Sequence, residues 1–241
     1  ASRAGYGGSD RRPGRTVADV VEDAAAVLRH VGAEECVVAG HSGGGPHALA
    51  CAARVPGVRA ALVIAGVGPA GSPGLPFLDG MGEENLVEFG FAARGEEALR
   101  PYLDEQRQAL VEATPEEIVA SLVSILPAVD RDVLAEEGGE DLAASFHEGL
   151  RRGVDGWLDD DLAFLAPWGF DLGEVRVPTT LWQGDLDLMV PFAHGRWMAD
   201  RIPAVDAHLL TGHGHISIAV GLIDPMLDAL LVPGHPGGSV A

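Results

Sequence analysis

The stretch Glu35–Pro56, ECVVAGHSGGGPHALACAARVP, sets a single serine, Ser42, among glycines at positions 40, 43, 44 and 45. A short apolar run, Cys36-Val37-Val38-Ala39-Gly40, precedes it, and apolar residues at helical spacing follow to about Arg54. An apolar run of that length closed by glycine predicts a strand buried on both faces. The spacing after it predicts a helix. A hydroxyl on the turn between them is either incidental to a glycine-rich loop or a nucleophile held where larger neighbours cannot fit. Gly40-His41-Ser42-Gly43-Gly44 fits G-x-S-x-G in the strand–turn–helix setting that makes a nucleophile elbow. The serine of such a turn is strained, so its neighbours two positions either way are expected to be glycine or nearly so. The Gly43 amide then points the same way as the hydroxyl, above a helix N-terminus, and both favour negative charge.

Outward from this stretch, Thr16 opens a helix with Asp19 at the capping-box position, and Gly32 closes it. Arg59–Gly68 reads as a second buried strand, and strand, helix, strand in this rhythm predicts a parallel sheet. From Pro69 to about Leu172 the pattern turns helical and acidic, with Thr114, Pro115 and Glu117 marking one helix start. Strand signals resume at Val177–Asp185 and again at Val205–Leu210, with a helix around Ala193–Ile202 between them. A last helix begins near Ser217, and Pro225 is expected to bend or restart it. The expected organisation is a core over 1–68 and 173–232, a helical cap over 69–172, and a disordered tail over 233–241.

A serine hydroxyl is a poor nucleophile without a base, and the base needs an orienting carboxylate. Both types of residue lie at the ends of the later strands, where open α/β sheets place their sites. Asp185 and Asp187 follow one strand; His213 and His215 follow the next. Asp185 reads as a solvated turn residue, and His213 as a loop or cleft residue. His41 and His47, flanking the elbow, read as packing or cleft residues.

Composition narrows the function classes. At 47% hydrophobic and 22% charged residues the chain is ordinary for a globular protein, which argues against disorder. Its formal net charge is −20, and all sixteen cationic side chains are arginine, so nucleic acid and anionic membranes are poor partners. Cys36 and Cys51 read as small core residues rather than a disulfide or metal pair. No apolar run reaches the ~18–20 residues of a membrane span. The first residues show neither an apolar signal core nor a starting methionine, so the chain reads as the interior of a longer, cytoplasmic protein. The acidic runs EEGGED and Leu158–Leu162 lack the spaced oxygen ligands of a calcium loop and read as solvated helix ends. No metal or organic cofactor is expected.

The chain resembles the α/β-hydrolase superfamily in its capped, serine-nucleophile, esterase-like branch. Three separated motifs carry the likeness: Gly40-His41-Ser42-Gly43-Gly44-Gly45; Gly184, Asp187, Val190 and Pro191 at the family's spacing; and Gly214-His215 before the last helix. The resemblance implies Ser42 as nucleophile, Asp187 as acid, His215 as base and Gly43 N–H in the oxyanion hole, cleaving an ester or related acyl bond of a small molecule. The same triad could serve carbon–carbon bond hydrolysis, aminopeptidase action or acyl transfer, and a non-catalytic binding module is the reading from another class. Arg3–Asp10 resembles the segment after the family's fourth strand. The usual N-terminal strands, with the loop that gives the second oxyanion amide, are therefore expected from ~40–60 further residues upstream or from a second chain.

Overall fold

The short apolar runs form a four-stranded, all-parallel sheet: β1 (Cys36–His41), β2 (Val58–Ile64), β3 (Thr179–Gly184) and β4 (Val205–Leu210), in that order. A computed structural model describes residues 2–136 and 138–231, so the tail expected over 233–241 lies outside the described residues. β2 stops at Ile64, short of the expected Gly68, because Ala65 turns to φ 47° while its N–H donates to the Trp182 carbonyl.

Side chains of β2 alternate between two cores, as a strand's two-residue period requires. Ala61 and Val63 join Leu49, Leu181 and Met198 on the face covered by α2 (Gly44–Arg54) and α9 (Phe192–Ala199). Ala60, Leu62 and Ile64 join Trp182, Ile218 and Met226 under α10 (Ser217–Leu231). Pro225 leaves its mark three residues earlier, where Leu222 departs from helical geometry at φ −126° and ψ 16°. β1 corrects an expectation: Val37 and Ala39 are exposed, and only Gly40 is fully buried. α10 lies mainly over β2 and β3, and β1 has one neighbouring strand among the described residues, so its outer face stays open.

Ahead of the sheet, α1 (Val20–Val31) follows a turn of 3₁₀ helix in which Thr16 and Asp19 close their capping box, and Gly32 ends it at φ 68°. Between β2 and β3 run α3 (Glu83–Ala92), α4 (Glu96–Glu112), α5 (Pro115–Ser121), α6 (Ala128–Glu136), α7 (Gly139–Gly149) and α8 (Asp155–Leu165), with no strand among the described residues. They bury a small core of their own around Leu110, Ile118, Ala143 and Leu150. Thr114 accepts the Glu117 N–H at the start of α5, as its capping-box spacing predicted.

The run Leu158–Leu162 is not a solvated helix end. Asp159, Asp160 and Asp161 are all buried within α8. Successive helical residues point about 100° apart, so the three carboxylates reach three different destinations. Asp159 takes a forked pair from Arg11, at 2.8 and 3.0 Å. Asp160 is held by Arg3, by Arg15 at 2.7 Å and by the Tyr6 hydroxyl at 2.9 Å. Asp161 meets no cation among the described residues. The N-terminal arginines thus bind the first segment of the chain to α8. Charge matching through helical phase is invisible to a reading that treats an acidic run as one unit.

Candidate active site

Ser42 follows β1 directly and stands two residues before α2, at φ 55°. For a residue with a β-carbon this left-handed conformation costs on the order of 1–3 kcal/mol. It persists because the surrounding backbone holds it: Ser42 N–H donates to Ile64 O at 2.9 Å, and Ser42 O accepts from Gly45 and Val67. A β-carbon at Gly40 would collide with the Gly44 carbonyl oxygen, so glycine is needed there. The symmetric expectation for Gly44 is corrected, because a β-carbon there meets nothing within 4 Å. The second tight position is Gly45, whose β-carbon would stand 2.9 Å from the Gly66 Cα where α2 crosses the chain after β2.

The turns after β3 and β4 bring in Asp187 and His215. His215 Nδ1 lies 2.8 Å from Asp187 Oδ2, and both side chains are buried. A carboxylate accepts only, so Nδ1 carries the hydrogen and Nε2 keeps its lone pair. Asp187 is itself fixed. Oδ1 accepts the Met189 and Val190 N–H groups at 2.9 and 2.8 Å, and Oδ2 also accepts from Gln183 Nε2 at 3.0 Å. Asp185 is exposed and accepts the Gly212 N–H at 2.7 Å, the turn role expected of it. His213 sits half-buried in the same loop, and its carbonyl accepts from Leu186.

Two supporting residues, Asp130 and Gln183, escaped the sequence reading. Asp130, wholly buried on α6, accepts His215 N–H at 2.7 Å and Ser217 N–H at 2.8 Å. It therefore fixes the His215 loop and covers the N-terminal amides of α10. A side chain at Gly214 would collide with this carboxylate, so the glycine of Gly214-His215 admits Asp130. Gln183 ties the acid loop together, donating also to Val190 O at 2.8 Å. His41, expected as a packing or cleft residue, places its ring 4.5 Å from that of His215 and bonds His215 O from Nε2 at 3.0 Å. Burial, helped by the neighbouring His215, pushes the His41 pKa down to about 4, so its ring is neutral at pH 7. His47 lies beneath the turn, donating from Nδ1 to Gly43 O at 2.8 Å, and burial lowers its pKa to about 4 as well.

Ser42, Gly43, His41 and His215 line one cavity of about 610 Å³, which residues of α3, α4 and α8 also line, with Phe164 of α8 close against Gly43. No hydrogen bond joins the Ser42 hydroxyl to the His215 ring among the described residues. Among the same residues, no group of His, Cys, Asp or Glu could hold a metal ion, and no helix is long and apolar enough to cross a membrane. Cys36 and Cys51 are free thiols.

Comparison with known proteins agrees with this architecture. An α/β hydrolase fold protein from Nakamurella multipartita is 24% identical, with a TM-score of 0.65 over 95% of this chain and 80% of that one. The esterase RhEst1 from Rhodococcus sp. ECU1013 is 19% identical, with a TM-score of 0.61 over 96% and 78%. A bromoperoxidase from Bacillus anthracis is 20% identical, with a TM-score of 0.59 over 95% and 78%. At these identities the likeness is one of fold. No curated protein matches the chain. Residues 1–227 match the alpha/beta hydrolase family, and with the parallel sheet and the serine turn already in view, the chain belongs to that family.

Proposed function

We propose that the protein is a serine hydrolase that cleaves an ester or related acyl bond of a small molecule. The observation that carries this reading is the strained Ser42, which faces the same cavity as an imidazole already oriented through Nδ1 by a buried carboxylate. His215 Nε2, its lone pair free, takes the Ser42 proton as Oγ attacks the substrate carbonyl carbon. Negative charge then gathers on the carbonyl oxygen. The Gly43 N–H, at the N-terminal end of α2, is the donor placed to meet it. As the tetrahedral intermediate collapses, His215 returns the proton to the leaving oxygen, and the acyl group stays on Ser42. Water attacks that acyl-enzyme with His215 again accepting a proton, and the carboxylic acid is released.

In this reading α3–α8 act as a cap over the strand ends. The open flank of β1 seats further polypeptide, from more of this protein or from a second chain. A fluorophosphonate probe tests the central claim: it is expected to modify Ser42 alone, as read by peptide mass spectrometry, and Ser42→Ala is expected to abolish labelling. Labelling that survives the substitution, or a folded protein that never reacts, would favour a binding module over an enzyme.

A further inference from the structure

The wall of the cavity contributed by α3, α4 and α8 carries acidic groups that the chemistry above does not use. Asp161 is 3% exposed, lines the cavity, and its Oδ2 is buried with no hydrogen-bond partner. Glu84 lines the same wall, and its Oε2 is likewise buried and unpartnered. Glu88 accepts the Trp157 Nε1–H at 2.8 Å and shares a hydrogen bond with Asp161. No salt bridge reaches any of the three among the described residues, since the nearby arginines are taken by Asp159 and Asp160.

Asp161 and Glu88 adjoin each other, and Glu84 lines the same cavity. Burial, with the charges of Glu88, Glu84 and Asp161 added, raises the Tyr102 pKa to about 12. Burial and the adjacent Glu88 likewise push Asp161 well above the ordinary carboxylate range, and burial raises Glu88. Two carboxyls that share a proton, with a third in the same cavity that has an idle oxygen, are costly to bury without compensation.

We propose that the cavity wall at Asp161 and Glu88 is a subsite for the ammonium group of a primary amine, so that the substrate carries a protonated amine besides its scissile acyl bond. An ammonium group has three donors and no acceptor, which suits the adjoining carboxyls of Asp161 and Glu88, with Glu84 lining the same cavity. A hydroxyl group has one donor and could satisfy only one of them. Phe89, Tyr102 and Trp157 line the same wall and offer the aromatic faces to which a cation is attracted. A metal ion is the poorer occupant, because no group of ligands has the spacing to hold one among the described residues. As the amine enters, its charge replaces the shared proton of the Asp161–Glu88 pair, which leaves to solvent. For catalysis the proposal rests on the serine-hydrolase reading; for binding it does not.

The test uses the intact chain and two matched pairs of probes. Binding of n-hexylammonium and of n-hexanol is followed by calorimetry in wild type and in Ser42→Ala. The ammonium ion is expected to bind at least tenfold more tightly in both, a preference of about 1.4 kcal/mol. Asp161→Asn and Glu88→Gln are each expected to remove that preference. Hydrolysis of the p-nitrophenyl esters of 6-aminohexanoate and heptanoate, equal in length, is expected to favour the amine by a similar factor in kcat/KM. Asp161→Asn should lower only the amine ester. Equal binding of the alcohol and the ammonium ion by wild type overturns the subsite, whatever the variants do. Tight ammonium binding with neither ester cleaved would leave the subsite standing and remove the hydrolase reading. Cleavage of both esters without preference, and without ammonium binding, would do the reverse.

Discussion

Two groups of cavity-lining residues differ in how their polar side chains are satisfied. At the strand ends the chain supplies its own partners: Asp187 accepts from two backbone amides, Gln183 and His215, while Asp130 and His41 fix the His215 backbone. On the wall formed by α3, α4 and α8, buried carboxylate oxygens of Glu84 and Asp161 find no partner. Fixed partners for Asp187 and His215 suit reacting groups, whose geometry must be set before substrate arrives, although the buried Gln183 Oε1 beside them has no partner. Unsatisfied groups around a cavity suit recognition, where the ligand completes the pairing. In the proposed reading the first group performs the chemistry and the second selects the ligand.

The largest effects that could break this contrast lie at the strand ends. His215→Ala should reduce kcat by several orders of magnitude, while His213→Ala keeps measurable turnover. Asp187→Asn would lose the acceptor that holds Nδ1–H and leave His215 in the wrong tautomer, a change that costs about 10⁴-fold in a serine protease. Asp185→Asn keeps an amide oxygen to accept the Gly212 N–H at an exposed turn and should cost less than about tenfold. Steady-state kinetics on one activated ester decides all four. Equal losses within either pair would unseat the assignment, and the reverse order would move the role to the neighbouring residue.

How legible each group was in the sequence follows from what positions it. Ser42, Asp187 and His215 sit on turns directly after strands, and the local pattern of glycines, prolines and apolar runs fixes such turns. Helix starts with a capping box, at Thr16 and Thr114, were legible for the same reason. Asp130 could not be read this way. It stands 85 positions from His215, and nothing in its neighbourhood distinguishes it from other acidic helix residues. Asp159, Asp160 and Asp161 illustrate the same limit, since their fates depend on which helix face meets the arginines of the first segment. The open face of β1 depends on how far α10 extends across the sheet, which apolar periodicity does not encode.

Asp130 is where the helical region reaches into the strand-end site, so its removal sharpens the comparison with an intermediate effect. Asp130→Ala leaves two buried amides without an acceptor, at about 1–3 kcal/mol each. Lower thermal stability is expected from any such loss. A positioning role predicts more: kcat and the rate of fluorophosphonate labelling should fall about 10–100-fold with KM nearly unchanged, since the imidazole rather than the substrate is displaced. Asp130→Asn keeps one acceptor oxygen and should recover part of the rate. Reduced stability with unaltered labelling in both variants would make Asp130 structural only.

The smallest expected effect separates the two groups by the sign of their response to pH. His41 and His47 have folded pKa values lowered to about 4 from an ordinary 6.5, chiefly by burial. Between those values the unfolded chain binds protons that the folded chain refuses. Their contribution to stability is therefore full above pH 6.5 and is lost as pH falls towards 4. Asp161 is shifted the other way, chiefly by burial and then by Glu88, from an ordinary 3.8 to well above it. Above pH 3.8 the folded chain holds a proton that the unfolded chain releases, so its contribution to stability falls as pH rises. The two terms oppose each other across the window from pH 4 to 6.5, each proton contributing at most about 1.4 kcal/mol per pH unit. Denaturant unfolding at several pH values should show His41→Gln with a weaker loss of stability on acidification than wild type. Asp161→Asn should show a steeper one, because the opposing term is gone. Identical slopes in wild type and Asp161→Asn would mean that this carboxyl titrates normally in the folded chain, and the contrast between the two groups would then lose its electrostatic basis.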